Sequence, residues 1–209
     1  MTDCCKRLSE PALARLKIGI FLLALWPLVK LIMRGYLDDL GANPIEKILR
    51  NTGFWTLTFL TLTMAVTPLR QLTQRVWLGR LRRMLGLFAF FYGVLHFSTY
   101  LILDQFFDWP NILNDISKRP YITVGFSALV LMIPLAVTST DAMLKRLGGK
   151  RWRNLHRLVY LITAAGVFHF WWLVKKDISQ PLIFAALLTI SLTIRAVYVR
   201  KSRGKSAVH

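Results

Sequence analysis

The chain has 209 residues, is 55% hydrophobic and carries a formal net charge of +18. Apolar runs of about 18 or more residues recur along it, which excludes an ordinary water-soluble domain. The runs are continuous rather than alternating, which argues against a transmembrane β-barrel. The chain therefore reads as all-α, a polytopic membrane bundle in a single domain over 1–209 with short tails at 1–11 and 200–209.

Six transmembrane helices are expected, at roughly 12–33, 48–67, 84–103, 120–138, 154–174 and 181–199. The first is read as a retained span. Its apolar run is too long for a cleavable signal peptide, and no small-residue cleavage pattern follows Trp26-Pro27. Gly35, Asp38, Asp39, Gly41, Asn43 and Pro44 mark a turn-rich loop after it. Pro68 is expected to close the second span. Pro120 is expected to open the fourth, where a missing N–H costs little. Gly148-Gly149 ends a short amphipathic piece before the fifth. Cys4 and Cys5 are adjacent, a poor geometry for a disulfide, and read as reduced thiols without a role.

Sorting the charge by loop explains its excess. The N-terminal segment, the 68–83 loop, the 139–153 loop with Arg157, and the tail from Arg195 hold 20 of the 28 Lys and Arg and 3 of the 10 acids. The alternate loops hold 8 basic and 7 acidic residues. This is the positive-inside asymmetry, which predicts that both termini are cytoplasmic and leaves no case for nucleic-acid binding.

Three histidines, His96, His156 and His169, lie in or beside these apolar spans. An ionisable residue at membrane depth is costly and marks a candidate functional site, and imidazole is a favoured haem ligand. His96 lies about 12 residues into the third span and His169 about 15 into the fifth, roughly 18 and 22 Å from their cytoplasmic starts. Two histidines at matching depth on different helices are placed to ligate one haem iron from both faces. His156 is expected on the same helix as His169, about 20 Å further in and rotated by roughly 140°, so it is the candidate ligand of a separate inner centre. His209, at the C-terminus, is given no role.

Around these residues, Gly86, Ala89, Gly93 and His96 form one helical stripe, and Ala165-Gly166 precedes His169. Small residues make room for a macrocycle or let helices approach closely, and the pattern does not choose between them. Arg82, Arg83, Arg151, Arg153 and Arg157 crowd the cytoplasmic ends, where haem propionates or a flavin phosphate would be paired. Trp171 and Trp172 suit an interfacial belt. No GxGxxG or Walker motif is present, so electrons drawn from NAD(P)H would need another protein. The competing reading is a proton-coupled transporter that uses the histidines as a relay. The spans offer it no deep carboxylate and no evident inverted repeat.

The stretches Arg82-Arg83-Met84-Leu85-Gly86-Leu87, Leu95-His96-Phe97-Ser98-Thr99-Tyr100, Arg119-Pro120-Tyr121, Thr138-Ser139-Thr140 and Gly149-Lys150-Arg151-Trp152, leading to Leu155-His156 and to His169, carry a resemblance. Gly41-Ala42-Asn43-Pro44 and Val66-Thr67-Pro68-Leu69 add to it. The chain resembles, over nearly its whole length, the MsrQ (formerly YedZ) family of haem-binding membrane subunits, itself similar to ferric reductase and NADPH oxidase transmembrane domains. The resemblance implies haem b at His96 and His169 and FMN as a further cofactor. It leaves open a second haem at His156, because Arg82 or Arg83 stands where related domains place the partner histidine. It also implies electrons entering from the quinone pool or a cytoplasmic flavin reductase. They would leave to the periplasmic molybdenum enzyme MsrP, which repairs methionine sulfoxide in oxidised proteins. The implied location is the bacterial inner membrane, and the chain would be an electron-transfer subunit rather than the catalytic one.

Overall fold

The computed structural model describes residues 8–174 and 177–206; Cys4, Cys5 and His209 lie outside them. Nine helices follow in chain order among the described residues: α1 Glu10–Tyr36, α2 Pro44–Thr73, α3 Arg82–Thr99, α4 Trp109–Lys118, α5 Pro120–Val137, α6 Asp141–Leu147, α7 Gly149–Leu155, α8 Leu158–Leu173 and α9 Ser179–Ser206. A 3-10 turn at Val76–Arg80 leads into α3, and a π turn at Tyr100–Asp104 follows it. The protein is a polytopic helical membrane protein. Five of its helical stretches are long and apolar enough to cross a membrane. The 16-residue α8 covers only about 24 Å at the usual rise, short of a core of about 30 Å.

Local chemistry sets several boundaries. Asn43 caps α2 by accepting from the Glu46 N–H at 3.2 Å while its own amide reaches the Glu46 carboxylate, so two polar ends are satisfied reciprocally. Pro120 opens α5, as expected. Thr140 caps α6, and Gly148, at φ +75°, ends it in a conformation that strains other residues. Along α2 the hydroxyls of Thr52, Thr56, Thr58, Thr61 and Thr63 donate to carbonyls one turn back, so this threonine-rich helix needs no polar partner in lipid.

Two expected boundaries are corrected. Pro68 does not close the second span. The helix runs through it to Thr73 and stops at Gln74, which sits at φ 59°. Proline removes one ladder bond without forbidding continuation when neighbouring helices hold the backbone, and Pro68 is buried. The fifth span is not one helix from 154 to 174. The ladder tightens to three-residue bonds, Arg157 to Asn154 at 3.2 Å and Tyr160 to Arg157 at 3.1 Å, so α7 and α8 are separate. His156 is the residue that ends α7, and it does not share a helix with His169. The short helix α4, which hydropathy did not mark, is polar on one face and buries Ile112 and Asp115 on the other.

The core gathers on α2. It packs most extensively against α3 and also meets α1, α8 and α9, while α5 packs against α8. Leu57, Leu60 and Met64 of α2 meet Phe88, Ala89 and Tyr92 of α3 and Ile162 of α8. Phe59 stacks on both Phe88 and Tyr92, with centroids 5.5 and 5.4 Å apart. Gly93 lies against Thr56 and Leu129, and Ala89 is fully buried, so these two members of the small-residue stripe bring helices together. By contrast α1 is largely lipid-facing. It is tied in where the Tyr92 hydroxyl donates to the Ala24 carbonyl at 2.7 Å, one turn before Pro27.

At the end of the bundle away from α6 and α7, the Asp115 carboxylate is 3% exposed and takes Arg119 at 3.2 Å and the Tyr100 hydroxyl at 3.3 Å. Asp115 holds the Arg119 guanidinium above its ordinary range. Arg119→Ala strips a buried acceptor of its cation and is expected to destabilise the protein by about 1–3 kcal/mol. Asp115→Asn should cost less, because the half-exposed Arg119 is then solvated by water. Thermal melts in detergent check the order of the two variants.

Candidate functional site

His96 lies near the end of α3 and His169 near the end of α8, and the fold brings their rings together edge to face. Their ring centroids are 6.2 Å apart and their planes are 81° apart. The matched depth read from the sequence is therefore realised as a side-chain pair. Each ring is anchored through the same atom. His96 Nδ1 lies 2.9 Å from the Leu49 carbonyl of α2, and His169 Nδ1 lies 2.7 Å from the Tyr121 carbonyl of α5. A carbonyl only accepts, so each Nδ1 carries the proton and each Nε2 keeps its lone pair. That is the tautomer a metal requires.

The separation would suit a shared haem iron: two imidazoles with metal–nitrogen bonds of about 2 Å, each nitrogen about 1 Å from its ring centre, would have centroids about 6 Å apart. Glycines complete the seat. A methyl group built on Gly53 would stand 3.0 Å from His96 Cε1, and one on Gly125 would stand 2.8 Å from His169 Cε1.

His156 sits elsewhere, at the arginine-rich end, with no second histidine beside it among the described residues. Its ring stacks on Trp152 at 3.9 Å, and its Nε2 lies 3.1 Å from the Thr138 hydroxyl. Thr138 donates its own proton to the Pro134 carbonyl at 2.6 Å, so its oxygen accepts from His156 Nε2–H. The protonated nitrogen here is the opposite one from that in the outer pair. His156 borders a cavity of about 290 Å³ lined also by Arg70, Arg82, Arg83, Trp152 and Gly86. Arg83 pairs with Asp141 at 2.6 Å, whereas Arg82 has no carboxylate partner among the described residues. Three of the arginines expected here, Arg151, Arg153 and Arg157, are exposed and do not line the cavity. Trp171 and Trp172 are 40% and 47% exposed, as an interfacial belt requires.

Residues 52–167 match the family described as ferric reductase like transmembrane component. A protein of Herminiimonas arsenicoxydans is 56% identical over 200 residues, covering 95% of this chain and 92% of its own. One of Ralstonia nicotianae is 49% identical over 203 residues (96% and 94%), and one of Bordetella pertussis is 45% identical over 199 (94% and 96%). All three are called protein-methionine-sulfoxide reductase heme-binding subunit MsrQ. The chain belongs to the MsrQ family. His96 and His156 fall inside the matched ferric reductase segment, and His169 lies two residues beyond it.

Three residues of this MsrQ family member escaped the sequence reading. Arg70 falls in a loop if Pro68 ends the helix; the continued helix carries it to the cavity. Gly53 and Gly125 were unremarkable glycines in apolar runs. A signal was present in the sequence. Gly93-Val94-Leu95-His96-Phe97 and Gly166-Val167-Phe168-His169-Phe170 share a pattern, and Gly53-Phe54 and Gly125-Phe126 precede those histidines by 43 and 44 residues.

Proposed function

We propose that this protein is a haem b electron-transfer subunit of the bacterial inner membrane, with both termini cytoplasmic and six crossings, the α7–α8 unit supplying the fifth. Bound between His96 and His169, haem supplies an iron that accepts and gives up one electron at a time. The observation that carries this reading is the facing imidazole pair, each ring anchored at Nδ1 and free at Nε2. The two carbonyls fix ring direction. At the opposite end, Arg82 and Arg70 line the cavity with no carboxylate partner among the described residues, and Trp152 with His156 offers a flat aromatic wall. That cavity suits a planar anionic cofactor, FMN or a second haem held by its propionates.

The names of the relatives support a place in methionine sulfoxide reduction. In this reading electrons enter at the arginine-rich end from a quinone or a cytoplasmic flavin reductase. They leave at the outer end to the periplasmic enzyme MsrP. Redox titration of the purified full-length protein, with pyridine haemochrome and flavin counts, tests this. A Soret band that sharpens on reduction and at least one haem b per chain are expected. A colourless preparation overturns it and favours the transporter reading.

A further inference from the structure

We infer that Gly53 and Gly125 are positioning residues, which hold the two imidazoles in matched seats on α2 and α5 and thereby set the direction and basicity of Nε2. The inference rests on the reading of His96 and His169 as haem ligands.

Each seat has two parts on one helix. In an α-helix the carbonyl of residue i points along the axis toward the N–H of residue i+4. Leu49 and Gly53 stand in that relation, and so do Tyr121 and Gly125. A side chain from a neighbouring helix that donates to carbonyl i must lie over the flank of residue i+4. The observed rings do so. A Cβ at Gly53 would meet His96 Cε1 and Nδ1 at 3.0 and 3.1 Å, and one at Gly125 would meet His169 Cε1 and Nδ1 at 2.8 and 2.8 Å. The atoms it meets belong to rings held by hydrogen bonds of 2.9 and 2.7 Å, not to the loose end of a flexible chain. At Gly125 one methyl group therefore forces the ring to turn off its carbonyl or the helices to part, and at Gly53 the ring must give by a few tenths of an ångström.

Either response reaches the metal. The Nδ1–H···O=C bond makes the imidazole a stronger donor, which favours ferric iron. Losing it favours ferrous iron and raises the midpoint potential. Among the described glycines only these two meet a histidine ring. A Cβ at Gly19 meets nothing within 4 Å, and one at Gly86 meets only a threonine methyl at 3.8 Å. The device occurs twice, on the α2–α3 and α5–α8 pairs, at near-equal spacing from each histidine.

The test uses full-length holoprotein in nanodiscs, as wild type, Gly53→Ala, Gly125→Ala and Gly19→Ala. Haem count, low-spin EPR g-values and midpoint potential are read for each. Gly125→Ala is expected to retain haem but shift its g-values and raise the ferrous-to-ferric ratio about tenfold, which is 59 mV for one electron. Gly53→Ala should move the same way by less, because its contact is longer, and Gly19→Ala should match wild type. If Gly125→Ala does not accumulate, Gly53→Ala carries the test. Unchanged g-values and midpoint in the accumulating glycine variants, with wild type holding low-spin haem, overturn the seat and leave the ligand assignment standing. Low-spin bis-imidazole haem retained in both His96→Ala and His169→Ala overturns the ligand assignment itself.

Discussion

His96→Ala and His169→Ala are each expected to cut the Soret absorbance per protein of the outer site by more than about tenfold. The two rings face one another at 6.2 Å, and each supplies a lone pair that no neighbour can replace. Within reach are backbone carbonyls and threonine hydroxyls, which are poor ligands for haem iron. The remaining histidine among the described residues is His156, which ends α7 at the opposite end and is already bonded to Thr138. Any haem that remains should be high-spin and five-coordinate. His156→Ala should leave the outer absorbance intact. Haemochrome assays on the purified variants, normalised to protein, measure this; full haem in both outer variants would sink the assignment.

The second large effect is expected at the inner cavity. Arg70→Gln combined with Arg82→Gln removes two positive charges from its lining while keeping hydrogen-bond donors. A charge-assisted hydrogen bond contributes about 1.5–3 kcal/mol, so affinity for an anionic cofactor should fall roughly 10- to 100-fold per lost contact. Arg83 is left in place because its pairing with Asp141 serves the fold. FMN and haem released on denaturation are counted in wild type and variant. The expected result is loss of the inner cofactor with the outer Soret band retained. Unchanged stoichiometry and affinity would show that these arginines serve topology alone.

Much of this arrangement is legible in the sequence, and the failures have physical causes. Spans one to four and six are set by run length and hydropathy, which are local properties. The common depth of His96 and His169 is legible from run length, whereas the meeting of their side chains depends on how each helix is turned about its axis. Pro68 misled because a proline's effect on a helix depends on what packs around it, and that is not local. The break after His156 misled because the change from a polar to an apolar helix is gradual in composition but abrupt in the hydrogen-bond ladder. Gly53 and Gly125 were silent because a glycine's function here lies in what approaches it from another helix. Only the doubled Gly-Phe and Gly-Val-x-His-Phe patterns hinted at them.

The joint between α7 and α8 bears on how the two ends of the molecule relate. A continuous helix behaves as a rod, and a twist applied at one end re-aims side chains at the other. Here the ladder tightens to three-residue bonds around Arg157, so His156 and Trp152 lie before a tightened turn and His169 after it. Around Arg157 the side chains step round at the tighter three-residue pitch, so the azimuth between His156 and His169 is set by this turn as well as by the number of residues between them.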